Sequence, residues 1–300
     1  MSKTGSLLKK KRNDIIFYAV MIALPVLQFI IFYLAVNVNS ILLAFKSYFY
    51  EDGGKYEIVW FDNIFKVIRS FFTDSVMIIS LKNSFIAFFI STVIGCTLAV
   101  FFSYYIYKKF PLSNFFKVML FLPSIVSAVA MVILFQYLAD NGFRELFGGQ
   151  GLLENSATTF GTIVFFNIWI GFGTSILLYV GAMSNISESV IESAQLEGVG
   201  FFKEFYYIVF PHVYPTFVTF IMMSFANLFA NQLNLMSFYG DNVQYRLYTV
   251  GFYMYYNTYR GDVADWPMLS ALGVVVTLII APLTFFIKWL LEKIGPSDER

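Results

Sequence analysis

The sequence predicts an all-α integral membrane protein with six transmembrane helices, and three observations predict it. Of 300 residues, 58% are hydrophobic and only 13% are charged, where a soluble domain carries about a quarter. The apolar residues fall in runs of the ~20 residues needed to cross a bilayer as a helix. A run of that kind satisfies its own backbone N–H and C=O groups only as a helix, because hydrocarbon offers them no water.

Six runs can be read in order: Ile15–Val36, Ser84–Ile106, Phe115–Leu138, Thr158–Met183, Val213–Leu235 and Met268–Leu291. Pro25, Pro123 and Pro282 lie inside them and are tolerated where neighbouring groups take up the freed carbonyls. The first run is too long for a signal-peptide core and no small-residue cleavage site follows it, so cleavage is not expected. The chain then divides into an N-terminal segment (1–14), a first helix with its outer segment (15–82), the main membrane domain (83–291) and a tail (292–300).

Orientation follows from basic residues near the helix ends. Lys3, Lys9, Lys10, Lys11 and Arg12 precede the first run, and Lys108 and Lys109 follow the second without an acid nearby. Both segments are expected in the cytoplasm, and an even number of spans brings the C-terminus there too. The outside receives 37–83, 139–157 and 237–267. Trp60, Trp266 and the tyrosines at 253, 255, 256 and 259 suit the headgroup level. The Lys9–Arg12 cluster also suits contact with anionic lipid.

Several function classes are weakened by what is missing. Cys96 is the single cysteine and His212 the single histidine, so an intrachain disulfide and a multi-histidine metal site are ruled out. His212 is expected to hydrogen-bond at a helix start, and Cys96 to pack. No phosphate loop of the GxxxxGK[ST] type occurs, so the chain is not expected to hydrolyse ATP. A stand-alone secondary transporter or channel, the main alternative, would need ionisable groups within the spans, and a membrane enzyme would need clustered His, Asp or Glu. Neither pattern is present. A net charge of +1 gives no reason to expect a nucleic-acid partner.

One loop breaks the charge rule. By alternation 184–211 is cytoplasmic, yet it has Lys203 against Glu188, Glu192, Glu197 and Glu204. Ser187 is placed to cap a short helix from Glu188 to Leu196, and Gly198 and Gly200 end it. A second helix from about Phe202 then meets Pro211 near the fifth span. The two short helices would make a compact knob.

The residues of that loop resemble the EAA loop of ABC importer permeases, whose pattern is Glu-Ala-Ala, two residues, Asp-Gly-Ala and, further on, Ile-x-Leu-Pro. Glu192, Ala194, Gly198, Ile208 and Pro211 match. Ser193 replaces the first Ala, Glu197 the Asp, Val199 the last Ala and Phe210 the Leu. The resemblance covers 83–291 as a type I importer transmembrane domain. The Pro25-containing first helix, Ser47-Tyr48-Phe49, Phe61-Asp62-Asn63 and Trp169-Ile170-Gly171-Phe172-Gly173 fit the first of the two permeases of carbohydrate-uptake systems. It implies a permease for sugars or oligosaccharides that forms half of the pathway. It further implies a second homologous permease, two ATPase subunits docked on the two loops and an extracytoplasmic solute-binding protein. No cofactor is expected on this chain; ATP and Mg would be used by the partner ATPase. Glu192, Ser193, Ala194, Glu197, Gly198, Ile208 and Pro211 would form the ATPase-coupling loop; alternatively, its acids merely solubilise a surface loop.

A sugar path needs polar groups on a shared face. At helical spacing Ser224, Asn227, Asn231 and Asn234 share one face of the fifth run, with Phe220 and Phe238 continuing it. Asn167, Gly171 and Thr174 share one face of the fourth, continued by Phe160, while Trp169 falls opposite. The competing reading is packing, because amide and small side chains also join membrane helices.

Overall fold

The computed structural model describes residues 3–50 and 54–296, with side chains from Asp14 onward. The Lys3–Arg12 side chains and the tail beyond 296 therefore lie outside the described residues. The chain folds as two compact units: one runs to Ile68 and resumes over Arg260–Val275, and the other takes Arg69–Tyr259 and continues from Val276.

In the first unit, α1 (Asp14–Leu43) is long and apolar enough to span a membrane, and none of its spanning window is buried. It runs beyond the expected Val36 because Asn37 and Ser40 turn their side chains back onto the Tyr33 and Val36 carbonyls. A two-stranded antiparallel hairpin follows, β1 (Lys46–Phe49) and β2 (Lys55–Ile58), with Tyr48 facing Tyr56. Composition gave no sign of this strand pair. Asn63, which is buried, donates to the Ala44 and Lys46 carbonyls and fixes the turn into β1. Tyr50 donates to Asp262 at 2.6 Å, and that carboxylate pushes its hydroxyl pKa up to about 12.

From α2 (Asp62–Thr73) the chain enters the second unit. Asp74 then starts α3 (Ser75–Tyr107) by accepting from the backbone N–H groups of Val76 and Met77. This cap sets the helix start well before the expected Ser84, where Lys82 and Asn83 interrupt the apolar run.

The expected third span is broken. α4 (Ser113–Ile125) and α5 (Ala128–Phe147) meet at 110°, because Val126 and Ser127 are extended. Hydropathy is continuous across the break and says nothing about chain direction. Among the described residues there are thus five continuous helices long and apolar enough to span, or six if the bent pair is one span.

α6 (Thr159–Met183) is the central helix, with 39% of its spanning window buried. One half carries Ile163, Val164 and Phe166 into a core with Leu233, Phe238 and Phe252. The other half carries Ile176, Tyr179 and Met183 into a second core with Tyr104, Ile191, Phe205 and Val209. Between them Gly173 lets α6 touch α4: a Cβ there would stand 2.5 Å from the Leu120 carbonyl oxygen and the Phe121 Cα.

After α7 (Glu188–Leu196) comes α8 (Phe201–Ala226), a single continuous helix. It begins before the expected Val213 and stops before Leu235. The chain then passes through turns over 227–234, a short helix α9 (Leu235–Tyr239), α10 (Val250–Arg260) and α11 (Trp266–Ile294).

Backbone cannot yield at Gly173, so Gly173→Ala should destabilise the protein by about 1–3 kcal/mol through overpacking. The check is thermal unfolding of the detergent-solubilised chain; an unchanged midpoint would contradict the close approach.

Candidate functional site

Two features stand out, a knob that follows α6 and a polar cavity walled by α3, α8 and the segment after α8.

The knob is built on α7, whose observed bounds are those expected. Ser187 sits at the N-cap with extended backbone, but its hydroxyl bonds the Ser189 hydroxyl at 2.7 Å and does not cap the helix N–H groups. The C-terminal end is closed by paired reverse bonds, Val199 N–H to Ala194 and Gly198 N–H to Gln195. Gly198 holds φ +72°, which is the left-handed position that such a closure assigns to glycine.

Burial sorts the loop residues. Ala194 and Ile191 are buried, and Ile191 joins the second core beside Phe205 and Val209. Glu192, Ser193, Glu197 and Gly198 are exposed. So is Leu196, at 90%, an unusual place for a leucine beside so many acids. Phe202, Tyr206 and Tyr207 are also exposed just beyond it.

Ile208 is half-buried against the second core. Pro211 does not separate a short helix from the span, as the sequence suggested; it sits inside α8. A wide turn over Phe205–Val209, with Phe210 N–H reaching back to the Phe205 carbonyl, precedes it. Such a turn is one way a helix absorbs the donor that proline lacks. His212 makes the expected hydrogen bond, to the Ile208 carbonyl at 3.0 Å, but within the helix and not at its start.

Glu204 departs most from its sequence reading. It is not a solvated loop acid but is 3% exposed. Lys108 Nζ donates to its two carboxylate oxygens at 2.8 and 3.0 Å.

The cavity has a volume of about 670 Å³ and is lined by Ser84, Ser91, Thr92, Ser224, Asn227, Asn231, Gln232 and Asn234 together with Phe220 and Tyr255. That is within the 300–1,000 Å³ of small-molecule sites. The expected helical face is corrected: α8 ends at Ala226, so Asn227, Asn231 and Asn234 do not follow one helix stripe. They share the cavity wall because the chain turns there, with Leu233 and Asn234 at positive φ. Asparagine side chains compete with helical backbone bonds, and here Asn231 Oδ1 accepts from the Leu233 N–H.

Asn167 lies outside this cavity and lines a smaller one of about 210 Å³, whose wall includes Ser91, Phe220, Ser224 and Asn231 as well. Its amide nitrogen donates to the Ile163 and Leu233 carbonyls, and its oxygen accepts from Asn234 Nδ2 at 2.7 Å. Asn167 and Asn234 are therefore the brace that fixes the turn segment to α6. Gly171 shares the smaller cavity; Thr174 is exposed elsewhere. Phe238 is buried against Phe166 and so leaves the path, and Phe160 packs on the same core. Trp169 lines an apolar cleft with Phe135 and Phe165.

Sequence reasoning missed the residues that shape the cavity from other elements. Asn83 donates to the Arg246 and Tyr248 carbonyls, Thr249 Oγ1 to the Asn231 carbonyl, and Val250 N–H to Ser84 Oγ. Gly251 packs directly on the Ala230 carbonyl. The one available signal was Asn83-Ser84, a polar pair at the edge of an apolar run.

Residues 91–297 match the family described as binding-protein-dependent transport system inner membrane component. The chain belongs to this family. Among relatives of this membrane component, the glucose import system permease protein GlcT of Saccharolobus solfataricus is 27% identical over 75% of this chain and 81% of its own. The lactose transport system permease protein LacF of Rhizobium radiobacter is 24% identical over 69% and 73%. A probable ABC transporter permease protein of Mycoplasma pneumoniae is 27% identical, and the match spans 51% of this chain and 50% of that protein. The fold is shared with a chain of a bacterial ABC transporter involved in the import of the acidic polysaccharide alginate, with a TM-score of 0.79 at 18% identity, covering 97% and 99% of the two chains.

Gly198→Ala meets no neighbouring atom yet must hold a left-handed conformation, at a cost of about 1–2 kcal/mol. Amide hydrogen exchange should therefore quicken in α7 while the rest of the protein keeps its protection.

Proposed function

We propose that the chain is the membrane-spanning permease subunit of an ATP-driven importer of sugars or oligosaccharides and forms half of its translocation pathway. The observation that carries this reading is continuity. One helix, α8, leaves the knob at Phe201 and ends at Ala226, where the wall of the polar cavity begins. A force applied to the knob crosses only the tight Gly198 turn before α8 carries it to the cavity.

The knob's outward face suits a docked ATPase, which would use ATP and Mg. Leu196 offers an apolar anchor, ringed by Glu192, Ser193 and Glu197, and fully exposed apolar groups of this kind mark interaction surfaces. Ile208 acts from beneath by seating the knob on the second core with Ile191, Ala194 is buried on the knob's inner side, and Gly198 sets its turn. In this reading the knob and both termini are cytoplasmic. Two ATPases would grip the knobs of this chain and of a second, homologous permease, and an extracytoplasmic binding protein would deliver the solute. The relatives named for glucose import and lactose transport support the cargo class. The related alginate transporter has been seen in complex with an alginate pentasaccharide-bound periplasmic protein, which supports the last partner.

Within the cavity, amides and hydroxyls match sugar hydroxyls, while Phe220 and Tyr255 offer faces to the C–H side of a ring. Asn227 and Asn231 are the exposed amides of the wall and are assigned to the solute. Asn167 and Asn234 brace the wall, and Ser224 shares it.

Two experiments bear on this. Leu196→Asp should abolish co-purification of the ATPase while the chain still inserts in the membrane; a complex that keeps its ATPase would overturn the docking face. Replacing Asn227 and Asn231 together by alanine should lower transport about tenfold or more at roughly 1 kcal/mol per lost hydrogen bond, with the complex assembled. Unchanged transport would remove the cavity from the pathway.

A further inference from the structure

The exposed side of the knob accounts for docking, but its buried side holds an ion pair that docking does not use. Glu204 follows the knob in the first turn of α8 and is withdrawn from solvent, whereas the Lys66–Asp62, Arg144–Glu154 and Lys288–Glu292 pairs are exposed. Its partner Lys108 is the residue after α3, and its carboxylate also lies 3.2 Å from the Tyr104 hydroxyl. That hydroxyl is equally 3.2 Å from the Phe201 carbonyl oxygen at the very start of α8. Tyr104 and Phe110 flank the Phe201 ring, at 4.6 and 5.5 Å.

Lys108 is itself held by a stiff turn. Lys109 and Leu112 have positive φ, and the Tyr105 hydroxyl donates to the Pro111 carbonyl at 2.5 Å. The next residue, Ser113, starts α4, which touches α6 backbone to backbone at Gly173. The contact therefore reaches the ends of two further helices. A charge pair removed from water is costly to separate, since each ion left alone would keep its desolvation penalty unpaid by its partner.

We infer that the Lys108–Glu204 pair is a latch that makes the knob move the α3–α4 turn together with α8. Docking strokes would then reach the pathway along two routes, the α8 backbone and this ionic contact. Glu204 and Lys108 are positioning residues; neither touches solute or nucleotide. The inference rests on the coupling role proposed for the knob.

The test uses the complete importer, with partner permease, ATPases and binding protein, in liposomes. Lys108→Met with Glu204→Gln removes both charges and leaves neither ion stranded, so the chain should fold. The expected result is that the ATPase co-purifies and hydrolyses ATP while transport per ATP falls about fivefold or more. The reversed pair, Lys108→Glu with Glu204→Lys, should recover most of that ratio. A ratio equal to wild type in the neutral variant overturns the latch. So does a proportional loss of hydrolysis and transport that the reversed pair fails to restore, which would mark a purely structural contact. Failure of the coupling role itself reads differently: Leu196→Asp would leave ATPase binding intact.

Discussion

A backbone carbonyl or amide left without a partner in hydrocarbon costs several kcal/mol, and this fold is arranged around that constraint. Helices meet it by themselves. Where the chain must turn at the depth of the spans, side chains from neighbouring elements meet it instead. Asn167 takes the Leu233 carbonyl, Asn83 those of Arg246 and Tyr248, Thr249 that of Asn231, and Gln136 that of Phe238. Each donor comes from a different part of the chain than the carbonyl it serves. The irregular segment over 227–234 is thus stitched to α6 through Asn167 and to the residue before α10 through Thr249, while Asn83 and Gln136 serve the chain that follows it, and the stitched segment walls the cavity.

Helicity, membrane insertion and the knob were legible because each has a local cause. Apolar runs, a glycine at a helix end and a Glu-rich stretch act over a few residues. The Gly198 turn was read directly, since only glycine takes that conformation without strain. What was not legible has non-local causes. The bend at Val126-Ser127 is a backbone turn that a continuous apolar run does not encode, and the turn after Ala226 is satisfied by Asn167 and Thr249, distant in sequence. Asn227, Asn231 and Asn234 were grouped as a substrate path on a helical face; they do line one cavity, but because the chain turns there and not because they share a helix. Glu204 was read as a surface acid since nothing nearby in sequence shows that Lys108, at the far end of another helix, is folded over it.

The two cores on α6 divide the labour of the molecule. One holds the cavity wall through Leu233, Phe238 and Phe252, and the other seats the knob through Ile191, Phe205 and Val209. Phe220 links them: it lines the cavity and packs against Tyr179 of the second core.

Continuity of α8 has a mechanical corollary. Its 26 residues make a rod of about 39 Å at 1.5 Å per residue. Pivoted at the seat beneath the knob, a rod of that length that leans by about 10° carries its far tip sideways by about 7 Å, comparable to the width of a sugar ring. A small rocking at the base would thus become a far larger displacement at the tip, and the Asn-rich segment that follows Ala226 would ride on it.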